Sequence, residues 1–191
     1  LYTFNLKTKR SQKLDTSARR DGFKVSFSPD SRYLAYTVSA ANYFSQIKLF
    51  DFSSNKTNQI TDGLSHADDP VFTQDYLYFT ASVNTGPSQV GLDLSTRERP
   101  VRKAIYAYVL ASDGKSPLLP KTGDEPLKTA ESKDDKKDKD KDDKKAAVKA
   151  VKIDIVGIQN RIVALPLPER NYDSLSVASD GALFYMERTQ P

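Results

Sequence analysis

The stretch SFSPDSRYLAY at 26–36 joins two strand-like runs through a turn, and close versions of it return as VFTQDYLYF at 71–79 and SVASDGALFY at 176–185. Around the first copy, Phe23, Val25 and Phe27 alternate with Lys24, Ser26 and Ser28, the period of two that sends successive side chains to opposite faces of a strand. Pro29 then restricts its own backbone, and Asp30 and Ser31 carry side chains that bond nearby amides, which makes a hairpin turn. Beyond it Leu34 and Tyr36 point one way, and Tyr33, Ala35 and Thr37 the other.

The repeat is longer than the hairpin. Laying LYTFNLKTKRSQKL at 1–14 over IKLFDFSSNKTNQI at 47–60 puts Leu1 on Ile47, Phe4 on Phe50, Leu6 on Phe52 and Leu14 on Ile60, each a shift of 46. Phe27 to Phe72 and Asp30 to Asp75 are shifts of 45. Short strands and turns recurring at this spacing, with no helical periodicity between, are the signature of a propeller blade. Ile47 and Leu49 fall on one face of the third strand, Phe50 and Phe52 on the other. A strand that is apolar on both faces must be covered from both sides, as stacked blades do.

The expected fold is therefore all-β: a partial β-propeller of four-stranded antiparallel blades. Residues 1–20 are expected to form the outer strands of an incomplete blade, 21–63 a complete blade, 64–170 a blade with an insertion, and 171–191 the inner strands of another incomplete blade. The second hairpin is two residues shorter between Asp75 and Leu77 than the first is between Asp30 and Leu34, which means either a tighter turn or two absent residues. Asp75 and Asp180 lie 105 positions apart, so about 60 residues are additional to a standard blade. Residues 104–110 read as a strand, 112–114 as a turn, and 151–155 with 161–165 as its returning partner. Residues 121–150 read as a linker, with 121–148 expected to be disordered because almost nothing there offsets ordering entropy by burial. A solvated helix over 132–147 is the alternative, weakened by its many aspartates and the lack of an apolar face.

Composition narrows function mostly by exclusion. The chain has 191 residues, no cysteine, and no apolar run of the length that spans a bilayer, so thiol chemistry and a membrane helix are excluded. Its start on Leu1, without a signal-peptide pattern, reads as that of an excised piece. Net charge is +4, yet KDDKKDKDKDDKK at 133–145 contains seven Lys and six Asp, a net of +1 whose intermingled charges largely cancel over a Debye length, and no basic patch is interleaved with aromatics as nucleic-acid binding requires.

No catalytic, cofactor-binding or metal residue is assigned, and no cofactor is expected. The one histidine, His66, stands near Asp68 and Asp69, but a solvated loop between blades explains that cluster more simply than a metal or acid–base site. There is no G-x-S-x-G, Walker loop or G-x-G-x-x-G. Asp30, Asp75 and Asp180 recur as turn residues. Arg97, Arg99 and Arg102 in STRERPVRK have the chemistry to grip a peptide carboxylate, although a polar connection is the plainer account.

The unit FSPDSRYLAY…IKLFDFSSNKTNQITDG resembles the WD40-like propeller repeat of TolB, of dipeptidyl-peptidase-like propellers and of tricorn proteases. VGLDLSTRERPVRKAIYAYVLASDGKSPLLP, a variable charged insertion, and then VKIDIVGIQNRIVALPLPERNYDSL narrow this to the propeller region of bacterial tricorn-like proteases, in the S41 serine peptidase group. The resemblance covers nearly the whole chain outside 121–150. It implies a non-catalytic piece of a peptidase, the second of two propellers being favoured over the first, which guides peptide substrates toward PDZ and protease domains elsewhere. Those domains and the rest of the propeller are the expected partners, a homo-oligomer is compatible with it, and a periplasmic location is favoured over a cytoplasmic one. The alternative is a TolB-like module that binds a protein partner and serves no protease; a prolyl-oligopeptidase-like parent would require an α/β-hydrolase domain. Open ends also predict marginal stability for the isolated piece.

Overall fold

The computed structural model describes residues 1–17, 19, 23–82, 84, 101–120 and 149–189. Four antiparallel sheets follow one another along the chain. The strands are β1 (Tyr2–Asn5), β2 (Arg10–Lys13), β3 (Val25–Phe27), β4 (Tyr33–Ser39), β5 (Ser45–Asp51), β6 (Lys56–Gln59), β7 (His66–Phe72), β8 (Tyr76–Ser82), β9 (Ala104–Val109), β10 (Ile162–Ala164), β11 (Tyr172–Val177) and β12 (Leu183–Glu187). Strands β3-β4-β5-β6 make one four-stranded sheet and β7-β8-β9-β10, in that spatial order, another, while β1-β2 and β11-β12 are two-stranded. Among the described residues the only helix is a single 3-10 turn at Ile158–Asn160, and none is long and apolar enough to cross a membrane.

The two-faced strands are sandwiched as their pattern requires. Tyr33, Ala35, Ile47 and Leu49 pack against Phe72, Leu77, Phe79 and Tyr108 of the next blade. From the opposite faces of the same strands, Leu34, Tyr36, Val38 and Phe50 form a second core with Leu1, Leu14 and Phe52. Cross-strand pairs keep each set on its side: Leu34 opposes Phe50, and Ala35 opposes Leu49. Phe79 stacks on Tyr108 with ring centres 4.9 Å apart, and the Tyr108 hydroxyl donates to the Ile60 carbonyl across the blade junction at 3.0 Å. Burial pushes that phenol up to about 12. In turn β11 packs on β7 and β8, so the sheets succeed one another face to face as blades of a partial propeller.

The recurring hairpin is built as expected in its first and third copies. Asp30 Oδ1 accepts the Arg32 amide and Asp180 Oδ1 the Ala182 amide, and the residue after each aspartate, Ser31 or Gly181, takes a positive φ of 59° or 89°. The second copy is a tight turn in which Thr73 does what Ser28 does in the first: its amide donates to the Tyr76 carbonyl at 2.8 Å and its hydroxyl accepts the Tyr76 amide, as Ser28 does with Tyr33. The Asp75 carbonyl instead accepts the Leu110 amide.

One expectation is corrected. Residues 151–155 are not a strand, and β10 alone pairs with β9, Ile162 opposing Tyr108. Val151 is drawn under the first blade, where its amide donates to Asp30 Oδ2 at 2.8 Å, and the Asp154 amide bonds the Leu110 carbonyl, so those backbone groups are satisfied outside any ladder. Val25 and Phe27 of β3 are half exposed, while Leu1 and Leu14, which flank β1 and β2, pack with Leu34, Tyr36, Val38 and Phe50 of β4 and β5. The expected disorder of 121–148, the alternative helix at 132–147, and Arg97 and Arg99 all lie outside the described residues.

Candidate functional site

The antiparallel registers bring one end of every blade to a common rim. His66 at the start of β7 opposes Ser82 at the end of β8, Ala81 opposes Ala104 at the start of β9, Lys103 bridges to Arg170, and Tyr172 at the start of β11 opposes Glu187 at the end of β12. The Asp30 and Asp180 turns close the opposite ends of their hairpins.

On this rim Lys24, just before β3, reaches the next blade. Its Nζ lies 2.7 Å from Asp68 Oδ2 and 2.8 Å from Asp69 Oδ1. Asp69 stands where the β7 register slips between Asp68 and Val71, with φ of 52° in the left-handed region, and its side chain is almost fully buried. Its Oδ2 has no hydrogen-bond partner. Burial pushes the Asp69 carboxyl above the usual range, Lys24 opposes that, and the neighbouring Asp68 charge adds to it. The arrangement recurs on β11: the register slips between Asp173 and Ser176, Ser174 has φ of 55°, the buried Asp173 pairs with Arg188, and Asp173 Oδ1 is left without a partner.

Between these blades lies a cleft of about 380 Å³ lined by Arg102, Arg170, Arg188, Glu169 and Glu187. Arg170 is 3.6 Å from Glu187 and Arg188 is held by Asp173, so two of the three guanidinium groups are engaged within the protein. Arg102 forms no ion pair among the described residues. A guanidinium beside a cleft offers paired donors to a carboxylate or to peptide carbonyls.

His66 and the two aspartates are near each other in sequence but serve different neighbours. The Ser45 amide donates to His66 Nδ1 at 3.1 Å, the Ser45 hydroxyl lies 2.7 Å from the same nitrogen, and the ring packs edge-on to Phe44. Asp68 and Asp69 turn instead to Lys24. Among the described residues no group of three or more His, Cys, Asp or Glu side chains is gathered to hold a metal. Sequence reading missed Lys24, Asp173, Arg170 and Arg188. Only Asp173 left a usable signal, since it follows Asp68 by the same 105 positions that separate Asp180 from Asp75.

No protein-family model matches the chain. Over 179 residues, 91% of this chain, it is 28% identical to tricorn protease homolog 1 of Streptomyces coelicolor. It spans only 16% of that relative's length. The crystal structure of the tricorn protease superposes on 91% of the chain with a TM-score of 0.60 at 18% identity, again over 16% of the larger chain, and shows the fold. The likeness in sequence and the likeness in fold, each over 91% of the chain, support a tricorn-like propeller region.

Proposed function

We propose that this chain is the non-catalytic propeller part of a tricorn-like serine peptidase, divided near residues 20, 63 and 170, and that it guides extended peptides toward a protease domain elsewhere in the parent protein. The observation that carries the reading is the charged rim, where Arg102 lies beside a cleft whose other arginines are already paired. A surface of mixed sign holds peptides weakly and without sequence selectivity, which suits a guide; a tight site would retain the substrate. The peptide's free carboxylate is the group best matched to Arg102.

The test is fluorescence anisotropy of the folded chain with an unstructured peptide bearing a free C-terminal carboxylate, against the same peptide amidated. The expected result is salt-sensitive binding, roughly tenfold weaker for the amidated peptide or for Arg102→Ala, as loss of one charge-assisted pair implies. Equal affinity for both peptides overturns the role of Arg102. Binding of a folded protein with no affinity for extended peptides is the result expected of a TolB-like module, and overturns guiding altogether.

A further inference from the structure

Residues 149–156 lie across the turn end of the first two whole blades, opposite the charged rim, as a segment that belongs to no sheet or helix. Its backbone is held from both sides. The Val151 amide donates to Asp30 Oδ2 in the β3–β4 turn of one blade at 2.8 Å, and the Gln74 side-chain amide in the β7–β8 turn of the next donates to the Ala150 carbonyl at 3.0 Å. Further on, the Asp154 amide donates to the Leu110 carbonyl, and Arg161 donates to the carbonyls of Asp154 and Val156.

The side chains of this segment alternate between groove and solvent. Val151, Ile153 and Ile155 join the core to which Tyr33, Leu77 and Leu110 belong, while Lys152 and Val156 face outward, Val156 being 92% exposed. Alternate side chains in an apolar groove, with main-chain groups met along its walls, are how an extended peptide is recognised: the main chain gives affinity and the pockets give specificity. The blade does not need the segment in order to close, since residues 52–55 alone join the corresponding strands β5 and β6. Release leaves the blade unstrained as well. The whole of 121–148 separates the segment from Pro120 on one side, and on the other Gly157, with φ of 71°, turns the chain into the buried Ile158.

We infer that the groove between these two blades at their turn end is a binding site for extended peptides with alternating β-branched apolar residues, and that residues 149–156 occupy it in cis. A peptide from outside enters as the resident segment leaves, so the site is open in proportion to that release. The resident is tethered through its own chain, at an effective concentration of the order of millimolar, which keeps the site closed to dilute peptides. The inference stands apart from the role of Arg102, which lies at the opposite end of the blades.

The test uses a peptide copying residues 150–156, acetylated and amidated so that it offers no terminal carboxylate to Arg102, against the same residues reordered to break the alternation. Val151→Asp withdraws the resident's anchor and leaves the walls of the groove unchanged. By fluorescence anisotropy the copying peptide is expected to bind Val151→Asp roughly tenfold more tightly than the unmodified chain, because a site open in about one molecule in ten loses that factor in apparent affinity. The reordered peptide is expected to bind neither. In the unmodified chain, millimolar copying peptide is expected to speed hydrogen exchange at the Val151 and Asp154 amides while Ile105 stays slow. No gain in Val151→Asp, or equal binding of the reordered peptide, overturns the proposal and leaves 149–156 as packing. Should Val151→Asp fail to fold, exchange in the unmodified chain decides, and unchanged protection at Val151 under millimolar peptide overturns it. A failure of the amidation experiment at the rim leaves this site untouched, so the two readings fall separately.

Discussion

Lys24 and Asp69 belong to successive blades, yet the Lys24 Nζ lies 2.8 Å from Asp69 Oδ1 and pairs with a carboxylate that is otherwise buried. The lysine is half exposed and the aspartate is not, so the pair is asymmetric. Removing the lysine leaves a buried charge unpaired, whereas removing the aspartate leaves a lysine that can turn to solvent and still meets Asp68. Lys24→Met is therefore expected to destabilise the fold by about 1–3 kcal/mol, discounted for the lysine's exposure, and Asp69→Asn by less. Urea unfolding of both variants checks this; a larger loss in Asp69→Asn contradicts it.

Asp51 shows the opposite titration. Burial raises its carboxyl pKa, but the Ser53 hydroxyl, the Arg32 guanidinium, the Ser53 amide and the Ser54 hydroxyl together bring it well below the ordinary 3.8. A carboxyl depressed in the folded state contributes stability that is present above its unfolded value and is lost as pH falls through the folded one. Asp51→Asn is thus expected to cost about 1–3 kcal/mol at pH 7 and progressively less below pH 3.8. The comparison is one of urea midpoints at the two ends of that range. A cost independent of pH would assign the effect to lost geometry alone.

Leu34 and Leu49 test the covering of both faces. Both are almost fully buried, on opposite sides of one sheet. Leu34→Ala and Leu49→Ala are each expected to lose about 2–5 kcal/mol. A sheet with one wet face would tolerate one of them, so a loss under about 1 kcal/mol for either in thermal or urea unfolding argues against stacked blades.

Asp30 ties the far end of the insertion to the first blade by accepting the Val151 amide, besides the Ser28 hydroxyl and the Arg32 amide. Asp30→Ala is expected to speed hydrogen exchange at Val151 by roughly tenfold or more, as loss of one charge-assisted bond implies, while exchange at Ile105 stays slow. Unchanged protection at Val151 would show that the segment is held by packing of Val151 and Ile158 alone.

The hairpins, their spacing and the two apolar faces of β4 and β5 were legible in the sequence because alternation is a local consequence of the pleat: knowing that Leu34 and Ala35 are neighbours suffices to place them on opposite faces. Reading failed where a partner lies far along the chain. Nothing near Val151 announces that its amide goes to Asp30, 121 residues away, so the apolar alternation there reads as a strand.

By itself, then, the sequence determined the strands, their turns, the repeat and the need for stacked sheets, all carried by short-range sterics and by the period of the backbone. Only the tertiary structure decided which charges meet. Lys24, Asp69, Arg102, Arg170 and Arg188 come to one rim because antiparallel registers return each blade to the same end. A salt bridge, unlike a strand, has no period by which it could be read in advance.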